Sequence, residues 1–591
     1  MKTLIIALNS KYIHSSLAPW YLKAGCGSEC GTVKVMEFTI NDSPDSVLAE
    51  LYREKADVAA FSCYIWNIAF VLDLVRELKK LSPGIKIVLG GPEVSFDAQE
   101  LMRENPSIDY VIAGEGDISF SLLLKCLKNG APYMNRGGPV LDEIGGLSYR
   151  KGNEIVSNLP CHFVQDLDLI PSPYTPDMLS RLGDKLVYFE SSRGCPFSCS
   201  YCLSSTFEGV RYFSLDRVKG DLGLLIGAGA KLVKFVDRTF NCNKSRAKEI
   251  FKFVIKSPGE TSFHFEAAAD LFDDEMLDIL SEAPPGKIQF EIGIQSTNLR
   301  TLEAVDRKTS LDKAFYNVRR IRELGNIHVH LDLIAGLPYE GYNEFKRSFN
   351  QVYGLKPHQF QLGFLKMLKG SKIRREAELH GYIFRERPPY EVLCNRYITF
   401  DEMLDLKGIE ELVERYYNSG RFVRSLNFII GEFFRDPFSF YREFYLYCDM
   451  KGYLSRPLSS RQLYTVLMDF VEGMASAEQT EMLNDALKFD FLASDSSGNL
   501  PEGIKRELPG DFKERCFEFL KNENNVATFL PEFKGQPAKE IFKKVHFETF
   551  NYDFTQVKPD FGCKKDKTVV VFNYKAKNRV TGLYSFIKVG L

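Results

Sequence analysis

Three cysteines stand close together in the segment RGCPFSCSYC, which spans residues 193–202 and follows a short apolar run. Cys195, Cys199 and Cys202 have the spacing C-x-x-x-C-x-x-C. Three thiolates on one tight loop can occupy three corners of a tetrahedral zinc site or bind three irons of a cubane iron–sulfur cluster. No His or Cys occurs between residues 203 and 241, so a fourth ligand is missing there. The spacing therefore predicts a metal centre with one open coordination position, as in catalytic sites.

The cysteine count argues against a disulfide role for these thiols. The chain has 13 cysteines, an odd number scattered over 591 residues. Its first apolar run, residues 4–8, is too short for the apolar region of a secretory signal peptide. We therefore expect reduced thiols and a cytoplasmic location.

Composition limits the classes of partner. The 76 Lys and Arg residues nearly balance the 78 Asp and Glu residues, so the net charge is −2 and no overall basic field attracts nucleic acid. No stretch approaches the roughly 18 consecutive apolar residues that a membrane span needs. A hydrophobic fraction of 45% is ordinary for globular domains, and the length predicts several of them. Neither nucleic acid nor a membrane is an expected partner.

The elements before the cysteine loop alternate between strand and helix. Short apolar runs between residues 3 and 114 are separated by helix-like segments, which predicts an α/β fold with a doubly wound, flavodoxin-like parallel sheet. Ligands of such sheets bind beyond the carboxyl ends of the strands. Two turns there, GGPE (90–93) and GEGD (114–117), are rich in glycine, which lets the backbone approach a large ligand closely. Together these turns predict a bound ligand.

A second series of strand–helix units begins at the cysteine loop. Six apolar runs between residues 186 and 368 alternate with helices, which predicts a partial (βα)6 barrel of the TIM type with its site at the carboxyl ends of the strands. Beyond residue 395 amphipathic helices rich in aromatic residues replace this alternation, and two strands are expected in the last 30 residues. The predicted domains are a sheet domain (1–135), a linker (136–185), the barrel (186–395) and a mainly helical domain (396–591).

Polar residues recur on single faces of the predicted barrel strands. By the two-residue period of a strand, Glu291 shares a face with Gln295, and His328 shares one with His330 and Asp332. Such faces are expected to point into a wet cavity. The histidines then either form hydrogen bonds inside the barrel or take part in substrate binding and proton transfer. The same alternatives apply to Glu266 and Asp270 on the third strand.

The cysteine loop resembles that of the radical S-adenosylmethionine (radical SAM) superfamily, in which a C-x-x-x-C-x-aromatic-C loop follows the first strand of a partial barrel. Tyr201 is the aromatic residue here, and FEIGIQS (290–296) and IAGLP (334–338) are similar to superfamily signatures on the fourth and fifth strands. The resemblance implies a four-iron four-sulfur cluster whose open iron binds S-adenosylmethionine and whose reduction yields a 5′-deoxyadenosyl radical. In the superfamily a Gly-Gly-Glu-like segment at the end of the second strand binds the methionine amino group. VDRTFN (236–241) stands there instead, so Asp237 and Asn241 would have to make that contact.

The sheet domain ahead of the barrel resembles that of the cobalamin-binding radical SAM family, through GGPE and IDYVIAGEGD (108–117). The resemblance implies a corrin ring laid across the strand ends. The D-x-H-x-x-G motif of many corrinoid proteins is missing, so the lower face of the cobalt would meet SCYIWN (62–67) instead. Tyr64, Trp66 and Asn67 are the candidates, although Trp66 is equally expected as a core residue.

The resemblance implies an enzyme, most simply a methyltransferase that adds methyl from methylcobalamin to a substrate carbon radical. The rivals are a cobalamin-dependent cyclisation, ring contraction or rearrangement, an RNA-modifying enzyme, and a non-catalytic carrier. A small-molecule or peptide substrate and an electron donor such as flavodoxin or ferredoxin are implied. The expected catalytic residues are Asp332, His330 and Glu291. The expected cofactor contacts are Tyr201, Asp237, Asn241, Glu266 and Gln295 in the barrel, and Ser62, Tyr64, Trp66, Asn67, Gly90, Gly91, Glu93, Gly114, Glu115 and Gly116 in the sheet domain.

Overall fold

The protein begins with a seven-stranded sheet. A computed structural model describes residues 1–129, 140–161, 163–206, 209–555 and 565–591. The strands of the first sheet are β1 (Lys2–Asn9), β2 (Thr32–Thr39), β3 (Val58–Ser62), β4 (Lys86–Gly90), β5 (Tyr110–Ile112), β6 (Leu147–Lys151) and β7 (Glu154–Ser157). The helices between them are α1 (Ala18–Ala24), α2 (Pro44–Arg53), α3 (Ile68–Leu81), α4 (Ala98–Glu104) and α5 (Gly116–Lys128). Short 3-10 turns are not numbered.

The strand order of this sheet is β2-β1-β3-β4-β5-β6-β7, and its first five strands are parallel. An order of 2-1-3-4-5 is that of flavodoxin-like folds, whose ligands bind where the order reverses, between the first and third strands. The predicted doubly wound sheet is therefore confirmed. Its binding edge is formed by the turns that follow β1, β3, β4 and β5.

The β6–β7 hairpin belongs to the same sheet, although the sequence placed it in the linker 136–185. It pairs antiparallel with β5, for example Ile112 with Leu147. The predicted boundary at residues 135 and 136 lies outside the described residues. The domain limits stay a prediction.

The middle of the chain forms a six-stranded parallel sheet in the order β15-β14-β13-β12-β11-β8, with β8 and β15 at its edges. This is the predicted partial barrel. Its strands are β8 (Leu186–Phe189), β11 (Leu232–Phe235), β12 (Ser262–Glu266), β13 (Ile288–Gln295), β14 (His328–Ala335) and β15 (Gln359–Phe364), and the small hairpins are β9 (Ser192–Gly194) with β10 (Val210–Tyr212) and β16 (Ile383–Phe384) with β17 (Val392–Cys394). The helices are α6 (Pro176–Leu179), α7 (Leu215–Gly227), α8 (Lys244–Lys256), α9 (Asp274–Ser281), α10 (Leu299–Ala304), α11 (Leu311–Leu324), α12 (Tyr342–Tyr353), α13 (Lys372–Arg375) and α14 (Ala377–His380).

The barrel strands alternate between fully buried aromatic side chains and partly exposed polar ones. Phe263 and Phe265 of β12 and Phe290 of β13 are completely buried, whereas His264 and Glu291 on the alternate positions are not. Successive side chains of a strand point to opposite faces. The aromatic residues therefore pack against the helices, and the polar residues line the inner face of the barrel, as predicted.

The rest of the chain is mainly helical and ends in a three-stranded antiparallel sheet, of which the sequence predicted the last two strands. Its first helix begins at a capping box formed by Thr399 and Glu402. Its helices are α15 (Phe400–Leu412), α16 (Val423–Phe433), α17 (Pro437–Met450), α18 (Ser460–Val471), α19 (Ala477–Ser494), α20 (Phe512–Lys521), α21 (Glu523–Phe529) and α22 (Ala538–Phe542), and its strands are β18 (Val545–Tyr552), β19 (Lys565–Lys577) and β20 (Tyr584–Val589). None of the helices in the described ranges is long and apolar enough to cross a bilayer.

The helical domain covers the edge strand β15 of the partial barrel. Asn418 accepts a hydrogen bond from the Phe360 backbone N at 2.8 Å and donates one to the Phe360 carbonyl at 3.0 Å. Tyr417 donates to the Pro357 carbonyl at 2.6 Å. These side chains satisfy backbone groups that an edge strand otherwise leaves open.

Candidate active site

The three predicted metal ligands lie on the loop that follows β9. Cys199 is 6% exposed, and Cys195 and Cys202 are half-buried. Thr239 Oγ1 lies 3.5 Å from Cys195 Sγ, and the Ser204 backbone N donates to Cys202 Sγ at 3.4 Å. Hydrogen bonds of this kind stabilise thiolates and tune iron–sulfur clusters.

The three thiols are arranged on one loop without meeting at a single point. Among the residues that the structure describes, no three His, Cys, Asp or Glu side chains converge as the ligands of one metal ion do. A cubane cluster takes one thiolate on each of three irons, so its sulfur ligands stand apart. The donor set fits such a cluster. The assignment of the three cysteines as its ligands stays a prediction.

Arg307 ties the cysteine loop to the end of β13, and the sequence analysis did not identify it. Its Nη1 lies 3.9 Å from Cys199 Sγ and 3.5 Å from the Tyr201 hydroxyl, and its Nη2 donates to the Gly293 carbonyl. Burial raises the pKa of the Cys199 thiol, and the Arg307 guanidinium opposes part of that rise. Arg307 thus favours the thiolate form that binds metal.

Replacing Arg307 by lysine is expected to weaken cluster retention by roughly 10–100-fold, the usual loss when a group just outside a metal's ligands is removed. Lysine keeps the charge but lacks the planar fork that reaches Gly293 O and Cys199 Sγ together. Iron per chain after anaerobic reconstitution measures the effect. The matched control is Arg300→Lys, because Arg300 stacks over Tyr339 at 4.0 Å, away from the loop. Equal iron in both variants would contradict the role of Arg307.

The end of β13 holds Gln295 in a conformation that frees its side-chain oxygen. Gln295 has a φ of 70° next to a break in the β13–β14 register. A β-carbon on Gly293 would come within 2.0 Å of Gln295 Nε2, so a larger residue there would displace the Gln295 amide. Gln295 Oε1 is buried and has no hydrogen-bond partner among the described residues. An unpaired buried acceptor fits a site that a polar ligand completes.

Inside the barrel, Glu291 is held by two basic side chains that the sequence analysis missed. Its Oε2 lies 2.8 Å from Lys234 Nζ and 2.9 Å from His264 Nε2. Burial alone raises the pKa of Glu291, but His264 and Lys234 outweigh it and hold this pKa well below its usual range. Glu291 therefore stays ionised. The expectation that it moves a proton finds no support in these contacts, which instead fix Lys234 and His264.

Three further polar groups lie near Glu291: Glu266 and His330 are its register partners on the neighbouring strands, and Asp332 lies two residues beyond His330. Burial, followed by the charge of the facing Glu291, raises the pKa of Glu266 to about 7. Burial lowers the pKa of His330, but Asp332 at 2.9 Å outweighs it, so the net shift is upward. The His330 Nε2 and Asp332 Oδ1 atoms lack a well-directed hydrogen bond among the described residues. Glu266 and His330, rather than Glu291, are suited to exchange protons near neutral pH.

Asp237 and Asn241, the predicted substitutes for the usual cofactor-binding segment, are engaged by the protein itself. The Asp237 carboxylate accepts from Ser191 N, Ser191 Oγ and Ser192 Oγ at 2.5–3.0 Å. Asn241 exchanges two hydrogen bonds with the Ala268 backbone, at 2.9 and 3.0 Å. Both side chains are fully buried and hold the strand ends in place. Their structural role explains why the segment departs from the usual pattern.

The turn after β3 places two stacked aromatic rings at the binding edge of the first sheet. The Tyr64 and Trp66 rings are 4.4 Å apart and nearly parallel, and Trp66 is 45% exposed, which excludes the core position considered for it. Asn67 is completely buried and bonds to Leu8 O, Ser62 O and Tyr64 N. Asn67 therefore shapes the turn, and the expectation that it faces a cofactor is not supported. The flat aromatic pair fits a large planar ligand.

The glycine turns of the first sheet use the left-handed backbone conformations that favour glycine. Their glutamates, however, do not face an open site. Gly91 and Gly114 have φ values of 111° and 84°. Glu115 pairs with Arg193 at 3.3 Å and with Arg211, and Glu93 accepts from the Tyr390 hydroxyl. Gly90 is the last residue of β4 and Gly116 the first residue of α5, and the Ser62 hydroxyl lies 3.5 Å from Ile6 O at the end of β3. The predicted cofactor contacts Glu93 and Glu115 instead connect the sheet to the barrel.

These ion pairs show that the carboxyl ends of the two parallel sheets face each other. Arg193, two residues before Cys195, donates to Asp117 at 2.7 Å. In addition, His14, in the turn after β1, lies 2.6 Å from the Tyr188 hydroxyl and forms a bridge with Leu186, so the first sheet also contacts β8 at its amino end. The segment that carries the cysteine loop is therefore joined to the binding edge of the first sheet by direct side-chain contacts. The sequence predicted both edges but not that they meet.

The fold and the site define a class of protein in which a flavodoxin-like ligand-binding sheet faces a metal-binding partial barrel. Family models support this division directly. Residues 3–124 match the B12 binding domain, residues 189–352 match the radical SAM superfamily, and residues 378–572 match a protein family of unknown function, DUF4080. The chain belongs to the cobalamin-binding radical SAM family.

Individual relatives agree with this family. An uncharacterised methyltransferase of Pyrococcus horikoshii is 25% identical over 66% of this chain and 83% of its own length. The 2-(S-pantetheinyl)-carbapenam-3-carboxylate methyltransferase of Streptantibioticus cattleyicolor is 26% identical over 56% of this chain, a match that spans only 50% of that protein. The solved structure of the cobalamin-dependent S-adenosylmethionine radical enzyme OxsB covers 88% of this chain at a TM-score of 0.59 and 16% identity, which shows a shared fold.

The family assignment makes this chain a radical SAM enzyme with three cofactors: a four-iron four-sulfur cluster, S-adenosylmethionine and cobalamin. The residues present fit these groups. Three thiols on one loop suit the cluster, the free Gln295 oxygen suits a polar co-substrate beside it, and the stacked Tyr64–Trp66 pair, of which Trp66 is exposed, suits a corrin ring.

Proposed function

We propose that this chain methylates a carbon atom of a small-molecule or peptide substrate. When bound, the cluster and S-adenosylmethionine supply a radical that removes a hydrogen atom from the substrate, and cobalamin supplies the methyl group. The observation that carries the proposal is the facing arrangement of the two sheets, held by Arg193, Asp117 and Glu115. A substrate bound between the two sheets would meet both cofactors.

The protein holds the components and excludes water from them. Cys195, Cys199 and Cys202 bind the cluster, and the Gln295 side-chain oxygen accepts a hydrogen bond from the co-substrate. Tyr64 and Trp66 contact the corrin ring. The ion pairs between the sheets close the cleft, which protects a radical from side reactions.

The inner face of the barrel orients the substrate. Lys234 and His264 are fixed by Glu291, so Lys234 presents its remaining N–H groups, and His264 its other ring nitrogen, in a defined direction. Glu266, whose pKa is raised to about 7, holds a proton on its carboxyl group for part of the time at neutral pH. The barrel thus offers the substrate both hydrogen-bond donors and an acceptor.

Anaerobic reconstitution with iron, sulfide and cobalamin, followed by reductant and methyl-labelled S-adenosylmethionine, tests the proposal on a cell extract. We expect three products: 5′-deoxyadenosine, S-adenosylhomocysteine and a compound that has gained one labelled methyl group. The reaction without cobalamin is the control. It is expected to give 5′-deoxyadenosine without methylated product.

Two results would overturn the proposal in different ways. 5′-Deoxyadenosine with an unmethylated, rearranged product would assign the chain to the cobalamin-dependent rearrangements. Purified anaerobic protein that carries zinc on the three thiols and shows no iron–sulfur absorbance would remove the radical chemistry altogether.

A further inference from the structure

A buried hydrogen bond joins the GGPE turn of the first sheet to the segment between β15 and β17, which we call the β15–β17 segment. Tyr390 of this segment donates its hydroxyl proton to Glu93 Oε1. The two residues are 4% and 5% exposed. Burial raises the pKa of Glu93, and the Tyr390 hydroxyl and the Lys369 ammonium, 3.5 Å from Glu93 Oε1, oppose that rise. A buried carboxylate depends on such donors, so loss of the Tyr390 hydroxyl leaves Glu93 poorly satisfied.

The β15–β17 segment also holds the residues that follow the GGPE turn. Lys369 pairs with Asp97 at 2.7 Å. Gly370 has a φ of 82°, and a β-carbon there would come within 2.3 Å of the Phe96 ring. Glycine thus lets the backbone of the segment lie directly against that ring. The turn is therefore fixed from the barrel side at several points.

The GGPE turn in turn supports the turn after β3. The Glu93 backbone N donates to the Cys63 carbonyl at 3.3 Å, and the Cys63 backbone N donates to the Gly90 carbonyl at 2.7 Å. Cys63 immediately precedes Tyr64, the first ring of the stacked aromatic pair. Tyr390 is therefore connected to the aromatic pair through one side chain and the backbone of two adjacent turns.

We propose that Tyr390 and Glu93 are positioning residues for the cobalamin site, because their hydrogen bond holds the turn that presents Tyr64 and Trp66 to the corrin ring. The inference rests on the proposed contact between this aromatic pair and cobalamin. A group that is held in its binding position before the ligand arrives lowers the cost of binding. The affinity of the first sheet for cobalamin is thus set in part by a side chain of the barrel domain.

The first test measures the Kd of cobalamin for the full chain, reconstituted with iron and sulfide, from the change in corrin absorbance. Tyr390→Phe removes only the hydroxyl and is expected to raise this Kd by about 10-fold. Glu93→Gln keeps an acceptor for the Tyr390 hydroxyl and is expected to leave the Kd nearly unchanged. The matched control is Tyr382→Phe, because Tyr382 lies in the same segment, is 8% exposed and donates to the Gly336 carbonyl of the barrel at 2.9 Å.

The second test follows the aromatic pair itself and needs no cobalamin. The chain has two tryptophans, Trp20 and Trp66, so in a Trp20→Phe background all tryptophan fluorescence comes from Trp66. Adding Tyr390→Phe is expected to shift this emission to longer wavelength and to increase its quenching by acrylamide, since the ring is no longer held in place. Adding Tyr382→Phe is expected to change neither.

The outcomes separate the hydrogen bond from other causes. Unchanged cobalamin affinity or unchanged Trp66 emission in Tyr390→Phe would overturn the positioning role. A loss of affinity in Tyr382→Phe or Glu93→Gln as large as that in Tyr390→Phe would also overturn it, because the cause would then be the whole segment or the charge of Glu93. Unchanged cobalamin affinity in Trp66→Ala would instead overturn the proposed contact of this ring with cobalamin, while the emission result still decides whether Tyr390 holds the pair.

Discussion

Cys199→Ala is expected to abolish reductive cleavage of S-adenosylmethionine and leave cobalamin uptake intact. Cys199 is the most buried of the three loop cysteines, and Arg307 lies beside its sulfur at 3.9 Å. Loss of a group just outside the ligands of a metal typically lowers metal affinity or activity by about 10–100-fold. Loss of a ligand itself is therefore expected to lower them by more than about 100-fold. Cobalamin depends on the first sheet and is not touched by the change.

The measurement combines iron per chain, 5′-deoxyadenosine formation and the visible absorbance of bound cobalamin. The matched control is Cys448→Ala, because Cys448 is equally deep, at 1% exposure, but lies in α17 of the helical domain. Both variants leave a small cavity, so only the loss of a ligand distinguishes them. If Cys199→Ala retained cleavage, the loop would not hold the cluster.

Glu291→Gln is expected to destabilise the barrel by about 3 kcal/mol, near the lower limit for breaking a buried ion pair, since the Glu291 and Lys234 side chains are each 23% exposed. Glutamine keeps the shape of the side chain but leaves Lys234 without a counter-charge. The free energy of unfolding reported by the barrel aromatics measures the effect. Adding Lys234→Met to Glu291→Gln removes the unpaired cation, and this double variant is expected to recover most of the loss. A double variant as unstable as the single one would show that the pair is unimportant.

The same ion pair predicts a pH dependence. The pKa of Glu291 is lower in the folded protein than in the unfolded chain, so its contribution to stability is complete above the unfolded value. As the pH falls through the folded value, the carboxylate is protonated and the contribution disappears. The stability difference between the unaltered protein and Glu291→Gln is therefore expected to shrink only in strongly acid solution.

Much of the fold was predictable because its signals are local. Short apolar runs that alternate with amphipathic segments indicated both parallel sheets, and the polar positions on β12, β13 and β14 indicated the inner face of the barrel. The β6–β7 hairpin was placed in the linker, because its pairing with β5 depends on contacts beyond the hairpin. Strand β18 was missed for a similar reason. Its partner β19 begins at Lys565, 13 residues after β18 ends.

The site was only partly predictable. The cysteine spacing is a local pattern and was found at once. Lys234 and His264 became functional candidates only when the barrel brought them to Glu291, 27 or more residues away in sequence. Asp237 and Asn67 showed the opposite effect. Each looks like a free polar side chain in the sequence, yet Asp237 accepts hydrogen bonds from two serines, and Asn67 bonds to backbone groups.

The cover that Asn418 provides for β15 has a consequence for how this chain can be divided. A partial barrel cut off before α15 would present the backbone of β15 as an open template for strands of other molecules. We therefore regard the DUF4080 segment as part of the folding unit of the barrel, and shortened versions made for crystallisation or for domain exchange should keep it.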